Sequence, residues 1–174
     1  MSCLINSGYS LGCRDNTGGV LRVYIGNFTP NVEYGVDADD VIVGLTYSGA
    51  TVSYYTFEQE METAEFNQTL TTSIENGTIF YDQQLTLMFH KNDADLRNQL
   101  LLLSQGNLSV IVVDQRNEAW LMGYQNGVRA ISGAMNTGKA YGDMNGITIT
   151  LQGKEPKPAY LIDDLDLFTI VDNA

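Results

Sequence analysis

The chain has 174 residues, of which 44 % are hydrophobic, and its 21 acidic against 9 basic side chains give a net charge of −12. This length and composition predict a single folded domain and exclude a largely disordered chain. The excess of acidic side chains disfavours a protein that binds nucleic acid or an anionic membrane tightly. The longest apolar run is too short for a membrane anchor.

The N-terminal region contains the two cysteines but no secretion signal. Cys3 and Cys13 lie too close together for a disulfide to staple much of the fold, and no nearby Cys or His pattern completes a zinc site. Without a basic segment followed by an apolar one, we expect a protein made in a cytoplasm with reduced thiols. Whether the two cysteines pair is left open.

Period-two alternation and turn residues predict strands along most of the chain. The stretch TVSYYTFEQEMETAEFNQTL favours one long strand or an extended arm over about 51–72. On a strand, Glu58, Glu60 and Glu62 would line one water-facing side, and the aromatic-bearing opposite side would suit contact with a partner subunit. The other predicted strands are 21–28, 41–48, 78–90, 108–114, 118–124, 128–132 and 147–153.

One α-helix is predicted over about 93–104. Asn92 is suited to cap its start and Gly106 to end it. Its apolar face recurs at helical spacing, with flanking leucines that widen it, so we expect the helix to pack on a sheet. These apolar residues are Leu96, Leu100, Leu101, Leu102 and Leu103.

The predicted fold class is mainly β with one α-helix, an antiparallel β-sandwich or rolled sheet with the helix packed on it. The three strands between 108 and 132 are expected to form an antiparallel meander, and a loop is expected over 133–144. Pro156 and Pro158 cannot sit in a central strand, which places the end of a single β-rich domain at 1–158. The tail 159–174 is too apolar to be free and is expected to dock on the domain or on a neighbouring subunit.

The loop carries Gly133-x-x-x-x-Gly138-Lys139, the spacing of a phosphate-binding loop. Ala140 follows where Ser or Thr would hold magnesium, and AYGDMNG cannot start the helix that cradles phosphates. The segment is therefore interpreted as a surface loop, mobile or in contact with a partner.

No catalytic, cofactor-binding or metal site is predicted, so the chain is not expected to be an enzyme. His90 is the only histidine, and no nucleophile motif accompanies it. The acidic group at Asp37, Asp39 and Asp40 lacks the spacing and terminal Glu of an EF-hand loop, which favours a solvated acidic face.

The sequence resembles tail tube proteins of tailed bacteriophages over about residues 78–162. The likeness rests on LTLMFHKNDADLRNQLLLLSQGNLSVIVVDQRNEAWLMGYQNGVRAISG and on KAYGDMNGITITLQGKEPKPAYLID. The second stretch has the form Asp-x-Asn-Gly-x-x-x-x-Leu-x-Gly-x-Glu-x-x-Pro, from Asp143 to Pro158. The N-terminal half fits only in composition.

This resemblance implies a structural virion protein that is assembled in the host cytoplasm. Its copies would form hexameric rings whose inner sheets join into a β-barrel, and the rings would stack into, or join, a tail tube with an acidic channel for DNA. The implied partners are copies of the chain, other phage tail or neck proteins, and genomic DNA as passing cargo; no cofactor is implied.

Two alternatives stay open: another head, neck or capsid-decoration protein, and a small-ligand-binding β-barrel or a cytoplasmic enzyme. For an assembling protein, the arm, the glycine-containing loop and the tail are the candidate contact regions. The predicted subunit-interface residues are Tyr54, Tyr55, Phe57, Phe66, Gly133, Met135, Leu165 and Phe168.

Overall fold

The computed structural model describes residues 8–12, 14, 16–49 and 51–172; Cys3 and Cys13 lie outside them. One α-helix, α1 (Ala94–Gln105), and a short 3₁₀ helix at Leu165–Leu167 accompany the strands. This content confirms the predicted class, mainly β with a single α-helix. The strands of the described residues are β1 (Val20–Asn27), β2 (Val32–Val36), β3 (Val41–Tyr47), β4 (Ser53–Glu58), β5 (Glu65–Ser73), β6 (Thr78–Phe89), β7 (Leu108–Asp114), β8 (Ala119–Met122), β9 (Arg129–Asn136), β10 (Gly146–Glu155), β11 (Tyr160–Ile162) and β12 (Thr169–Val171).

Eight strands form a rolled sheet in the order β12-β4-β1-β7-β8-β11-β3-β2. Its pairs are antiparallel except β11 with β3 and β12 with β4, which are parallel. Tyr34 on β2 packs against the same buried cluster as Tyr54 on β4, so strands from the two ends of the sheet meet across its interior. The buried residues of this interior are Tyr24, Ile42, Tyr54, Ile111, Val113, Ala119, Leu121, Tyr160, Ile162 and Phe168.

The other four strands form a wholly antiparallel sheet in the order β5-β6-β10-β9. One face of this sheet packs on the outside of the roll. Strand β7 is buried on both sides, because Val110 and Val112 belong to the core between the sheets while Ile111 and Val113 face the interior of the roll. Burial on both sides explains why residues 110–113 of β7 form a continuous apolar run rather than an alternating pattern.

Helix α1 contacts β9 and adds Leu100 to the core between the sheets. Its N-cap is Asp93, whose carboxylate accepts the Ala94 N–H at 3.1 Å, so the prediction of Asn92 as the cap was wrong by one residue. Gly106 ends the helix as predicted, and its N–H donates to the Leu102 carbonyl at 3.2 Å.

The segment 51–72 differs from the predicted strand or arm. It is divided between the two sheets, since β4 joins the roll and β5 joins the four-stranded sheet. The turn between them contains Glu60 and Glu62, and Glu62 has a φ of 64°. Glu58, Glu60 and Glu62 therefore do not line one strand face, because the chain must leave one sheet and enter the other at this point.

The meander predicted over 108–132 does not form, because the chain crosses from one sheet to the other between β8 and β9. Strands β7 and β8 pair, but β9 leaves the roll and pairs with β10. Gly123 and Gly127 have φ values of 78° and 74°, a conformation that glycine adopts without steric cost. The buried Glu155 carboxylate fixes this crossing by accepting the N–H groups of Gln125 at 3.1 Å and Asn126 at 2.8 Å.

The C-terminal segment belongs to the roll. Strand β11 lies between β8 and β3, and β12 extends the sheet beside β4. Phe168, between these strands, is 4 % exposed and packs in the interior of the roll. The sheet thus continues past the boundary predicted at 158. The loop predicted over 133–144 is also shorter, because β9 extends to Asn136.

Candidate assembly surface

The four-stranded sheet ends in two long edge strands. Strand β5 has nine residues and β9 has eight, and no other strand among the described residues pairs with their outer edges. Three antiparallel pairings separate them, so β5 and β9 run in opposite directions. Unpaired backbone N–H and C=O groups along such edges are a template for pairing with another strand.

The face of this sheet that points away from the roll is polar and nearly balanced in charge. Alternation along the strands turns the buried residues, such as Leu85 and Leu151, toward the core and their neighbours outward. Gln152 on this outer face donates to both carboxylate oxygens of Asp82, at 2.7 and 2.8 Å. Most of its other side chains are Thr, Ser, Asn and Gln. Its charged residues are Glu65, Asp82, Arg129 and Lys154.

Strands β5 and β6 form a hairpin that extends past its neighbour. The turn between them contains Asn76 and Gly77: Gly77 has a φ of 62°, and β5 pairs with β6 as far as Ser73 and Thr78. Strand β10 pairs with β6 only as far as Tyr81, so the hairpin tip continues without a third strand beside it. Ile74 in the turn is 98 % exposed.

Two grooves flank α1. One, of about 470 Å³, lies between α1 and β9 and is lined mainly by apolar side chains. The other, of about 740 Å³, lies between α1 and strands β1 and β4. Its lining includes three aromatic residues and three acidic ones: Tyr55, Phe57, Phe89, Glu58, Asp93 and Asp95.

Two of the predicted interface residues are core residues. Tyr54 and Phe168 are 2 % and 4 % exposed, and their rings meet edge to face with centroids 5.4 Å apart. Neither has surface to offer to another subunit, so their assignment to an interface was wrong. Leu165 is partly buried against the same cluster. Whether each side chain points into the interior of the roll, which its residue type does not reveal, decides this outcome.

The remaining predicted residues lie in three places. Phe57 and Phe66 are partly buried against the core between the sheets. Tyr55 is half exposed on β4. Gly133 and Met135 are neighbours on the edge strand β9 and line the groove beside α1. The structure therefore brings only this last pair together at an open edge.

In the glycine-containing loop, a carboxylate of the loop itself accepts the backbone N–H groups that could otherwise bind an anion. The Asp143 carboxylate accepts the N–H groups of Lys139 and Ala140, at 2.8 and 2.7 Å. These two bonds lower the pKa of the Asp143 carboxyl. Gly138, with a φ of 71°, turns the chain here, and a strand rather than a helix follows at β10. The backbone donors that a phosphate would need are already occupied.

The other candidate polar sites are local structural contacts. His90 Nε2 lies 3.6 Å from a Glu60 carboxylate oxygen at the surface. The Asp37 carboxylate accepts the N–H groups of Asp39 and Val41, both at 2.9 Å, and so closes a turn. In the described part of the chain, no group of three or more His, Cys, Asp or Glu side chains is arranged to hold a metal ion. No helix there is long and apolar enough to span a membrane.

Sequence reasoning missed the exposed apolar residues around the two sheet edges. Their signal was present: Leu70 and Ile79 flank the Asn76-Gly77 turn within a run of threonines, as expected for a hairpin that protrudes. Their exposure became visible only with the position of β10. These residues are Leu70, Ile74, Ile79 and Ile131, at 50, 98, 59 and 52 % exposure. Leu101 and Leu102, which were expected to widen the packing face of α1, are instead 55 and 63 % exposed.

Comparison with known proteins adds no family to this description. A scan against protein-family models finds no match for the sequence. A search of curated proteins likewise finds no significant match. A functional assignment therefore rests on the geometry of the two sheets and on the properties of their exposed surfaces.

Proposed function

We propose that the chain is a structural protein whose copies join through the edges of the four-stranded sheet into closed rings. The observation that carries this proposal is the pair of long, open edge strands, β5 and β9, which run in opposite directions. If β9 of one copy lies beside β5 of the next, the new pair is antiparallel, like every pair within the sheet. Such a head-to-tail contact forms a ring when the rotation between copies closes.

The ring would be a β-barrel with the rolls on its outside. The roll and α1 cover one face of the four-stranded sheet, which leaves its polar face to line the channel. A barrel of six such sheets has more strands than porins, in which about 16–18 strands already enclose an aqueous channel. Closure also removes the unpaired edges that make an isolated sheet prone to aggregation.

The expected acidic channel becomes a polar one in this arrangement. The lining face carries two acidic and two basic side chains among Thr, Ser, Asn and Gln residues. Such a surface holds no excess positive charge with which to bind the phosphates of passing DNA. The net charge of −12 therefore belongs mostly to the outer surface and loops.

We further propose that the rings stack into, or join, the tail tube of a bacteriophage virion and let DNA pass. The resemblance over about residues 78–162 supports this placement, and so does the combination of open sheet edges with a polar lining. The partners would be copies of the chain and neighbouring tail or neck proteins.

Electron microscopy of the purified protein over a range of concentrations tests this function. Rings or stacked tubes with a central hole are the expected particles, with projections from the rolls around the rim. A protein that stays monomeric at the highest concentration, with and without phage tail proteins as initiators, would contradict it. Mass photometry of the same samples gives the number of copies in each ring.

A further inference from the structure

The groove between α1 and β9 exposes apolar side chains beside an open sheet edge. It holds about 470 Å³ and includes Leu101, Ile131 and Met135, which are 55, 52 and 53 % exposed. Leu100 at the base of the groove belongs to the core between the sheets. The apolar surface of this core therefore extends along the groove to the open edge at β9. No segment of the described residues covers it.

The opposite edge of the same sheet carries apolar side chains on the same face. The β5–β6 register pairs Leu70 with Tyr81 and Thr72 with Ile79. Counting in twos along β6 from the buried Leu85, Tyr81 and Ile79 point to the core side of the sheet, and so therefore does Leu70. Leu70 and Ile79 are nevertheless 50 and 59 % exposed, because the hairpin extends past β10.

The two edges also carry opposite charge. From Ser53 to Tyr81 the chain has five acidic side chains and no basic one. From Asn126 to Gly142 it has two basic side chains, Arg129 and Lys139, and no acidic one. Two β5 edges would repel each other, as would two β9 edges, whereas a β5 edge and a β9 edge attract.

We propose that the groove beside α1 is the socket for the β5–β6 hairpin of a second copy of this chain. Antiparallel pairing of β9 with the β5 of that copy puts the core-facing side of the hairpin, with Leu70 and Ile79, over the groove. The same direction brings Arg129 toward the Glu75 end of the neighbouring β5 and Lys139 toward its Glu65 end. This inference rests on the proposed ring and specifies which surfaces make its joint.

Two single substitutions isolate the two halves of the joint. Leu70→Glu blocks the hairpin of a copy and leaves its groove intact, while Ile131→Glu blocks the groove and leaves the hairpin intact. Both side chains are already about half exposed, so both variants are expected to fold. Each alone should lose ring formation, with apparent association weakened at least about tenfold by the buried charge.

Mixing the two variants gives the decisive result. In the mixture, the Leu70→Glu variant supplies an intact groove and the Ile131→Glu variant supplies an intact hairpin. These two surfaces can join once, and the remaining groove and hairpin are both blocked. The mixture should therefore form dimers with one copy of each variant and nothing larger. Native mass spectrometry measures this composition. Thr71→Glu is the matched control, because it adds the same charge one residue away on the opposite face, across from Phe80, and it should keep assembling.

The outcomes separate this inference from the proposed function. The docking of the hairpin in the groove is contradicted if the wild-type chain forms rings but the mixture yields no one-to-one dimer. It is also contradicted if either variant alone still forms rings. In both cases ring formation itself remains supported. If the wild-type chain never assembles, the ring and the socket are both overturned. Wild-type rings together with mixed dimers support the socket.

Discussion

The two sheets of this protein differ in the length of their edge strands. The eight-stranded sheet rolls until strands from its two ends share one buried interior, and its edge strands β12 and β2 have only three and five residues. The four-stranded sheet does not close, and its edge strands have nine and eight residues. Short edges limit unwanted pairing, whereas long ones invite it. The larger sheet therefore leaves only short edges unpaired, whereas the smaller one leaves two long edges open to the pairing that we propose.

Substitution inside the roll is expected to have the largest effect on the free energy of unfolding. Tyr54→Ala removes a ring that is 2 % exposed and a hydroxyl 3.1 Å from Ser109 Oγ, which should destabilise the fold by about 3–5 kcal/mol. Tyr55→Ala, on the other face of β4 and 50 % exposed, should cost less than about 1 kcal/mol. Urea denaturation of both variants measures the difference; equal losses would mean that the two faces of β4 are wrongly assigned.

Substitution at the crossing between the sheets should have the next largest effect. Gly127 has a φ of 74°, and a Cβ there would lie 2.5 Å from Asn107 Oδ1. Gly127→Ala should therefore destabilise the chain by about 1–3 kcal/mol. Gly142→Ala is the control, because nothing lies within 4 Å of its added Cβ. Thermal unfolding compares the two, and an unchanged midpoint for Gly127→Ala would contradict the crossing described here.

The buried carboxylate at this crossing should make stability depend on pH. Burial raises the pKa of the Glu155 carboxyl above its ordinary value of 4.5, although the bonds from Gln125 and Asn126 oppose the rise. The folded chain then binds more protons than the unfolded chain between the two pKa values, so Glu155 lowers stability as pH rises through this interval.

Glu155→Gln keeps an oxygen that can accept both N–H groups and has no charge to bury. The variant should match the wild-type chain below the ordinary pKa and become the more stable of the two at neutral pH. Guanidinium denaturation at about pH 4 and about pH 7 gives the difference between the two chains. A wild-type chain that gains stability over the variant as pH rises would show that the carboxylate is favoured in the fold.

The smallest effect is expected in the loop beside β9. The backbone N–H groups of Ala140 and Lys139 lower the pKa of the Asp143 carboxyl. Its contribution to stability is therefore present above the ordinary pKa and is lost as pH falls through the lowered value. Lys139→Ala keeps both N–H groups and should leave this pKa unchanged. A carboxyl titration by NMR measures it; a rise in Lys139→Ala would assign the effect to the lysine side chain instead.

Elements with strong local signals could be predicted from the sequence. The α1 helix follows from leucines at helical spacing and a terminal glycine, and the β5–β6 hairpin follows from Asn76-Gly77 between β-prone runs. Strand β10 follows from the clean alternation of ITITLQG. In each case the residues that determine the element lie within it or directly beside it in the sequence. The element can therefore be predicted without knowing any contact between distant parts of the chain.

The assignment of strands to sheets could not be predicted in this way. Period-two alternation is the same in both sheets, so the sequence of 51–72 does not show that the chain changes sheets between β4 and β5. The candidate site depends on the same missing information. Aromatic content made Tyr54 and Phe168 candidates, but contacts across the roll bury them, and the exposure of Leu70 depends on where β10 ends.

The most direct test of the central claim, that β9 of one copy joins β5 of the next, is cysteine cross-linking. In a Cys3→Ser, Cys13→Ser background, Asn67→Cys on β5 and Ala134→Cys on β9 sit on the same face at opposite edges of the sheet. Within one chain they are three strand spacings apart across the sheet and four residues apart along it, about 14 Å in each direction, so a bismaleimide shorter than this can join them only between copies. The double variant should give a ladder of covalent oligomers that ends at the closed ring, and neither single variant should cross-link. Dimers from a single variant, or no ladder from the double variant, would contradict the head-to-tail joint.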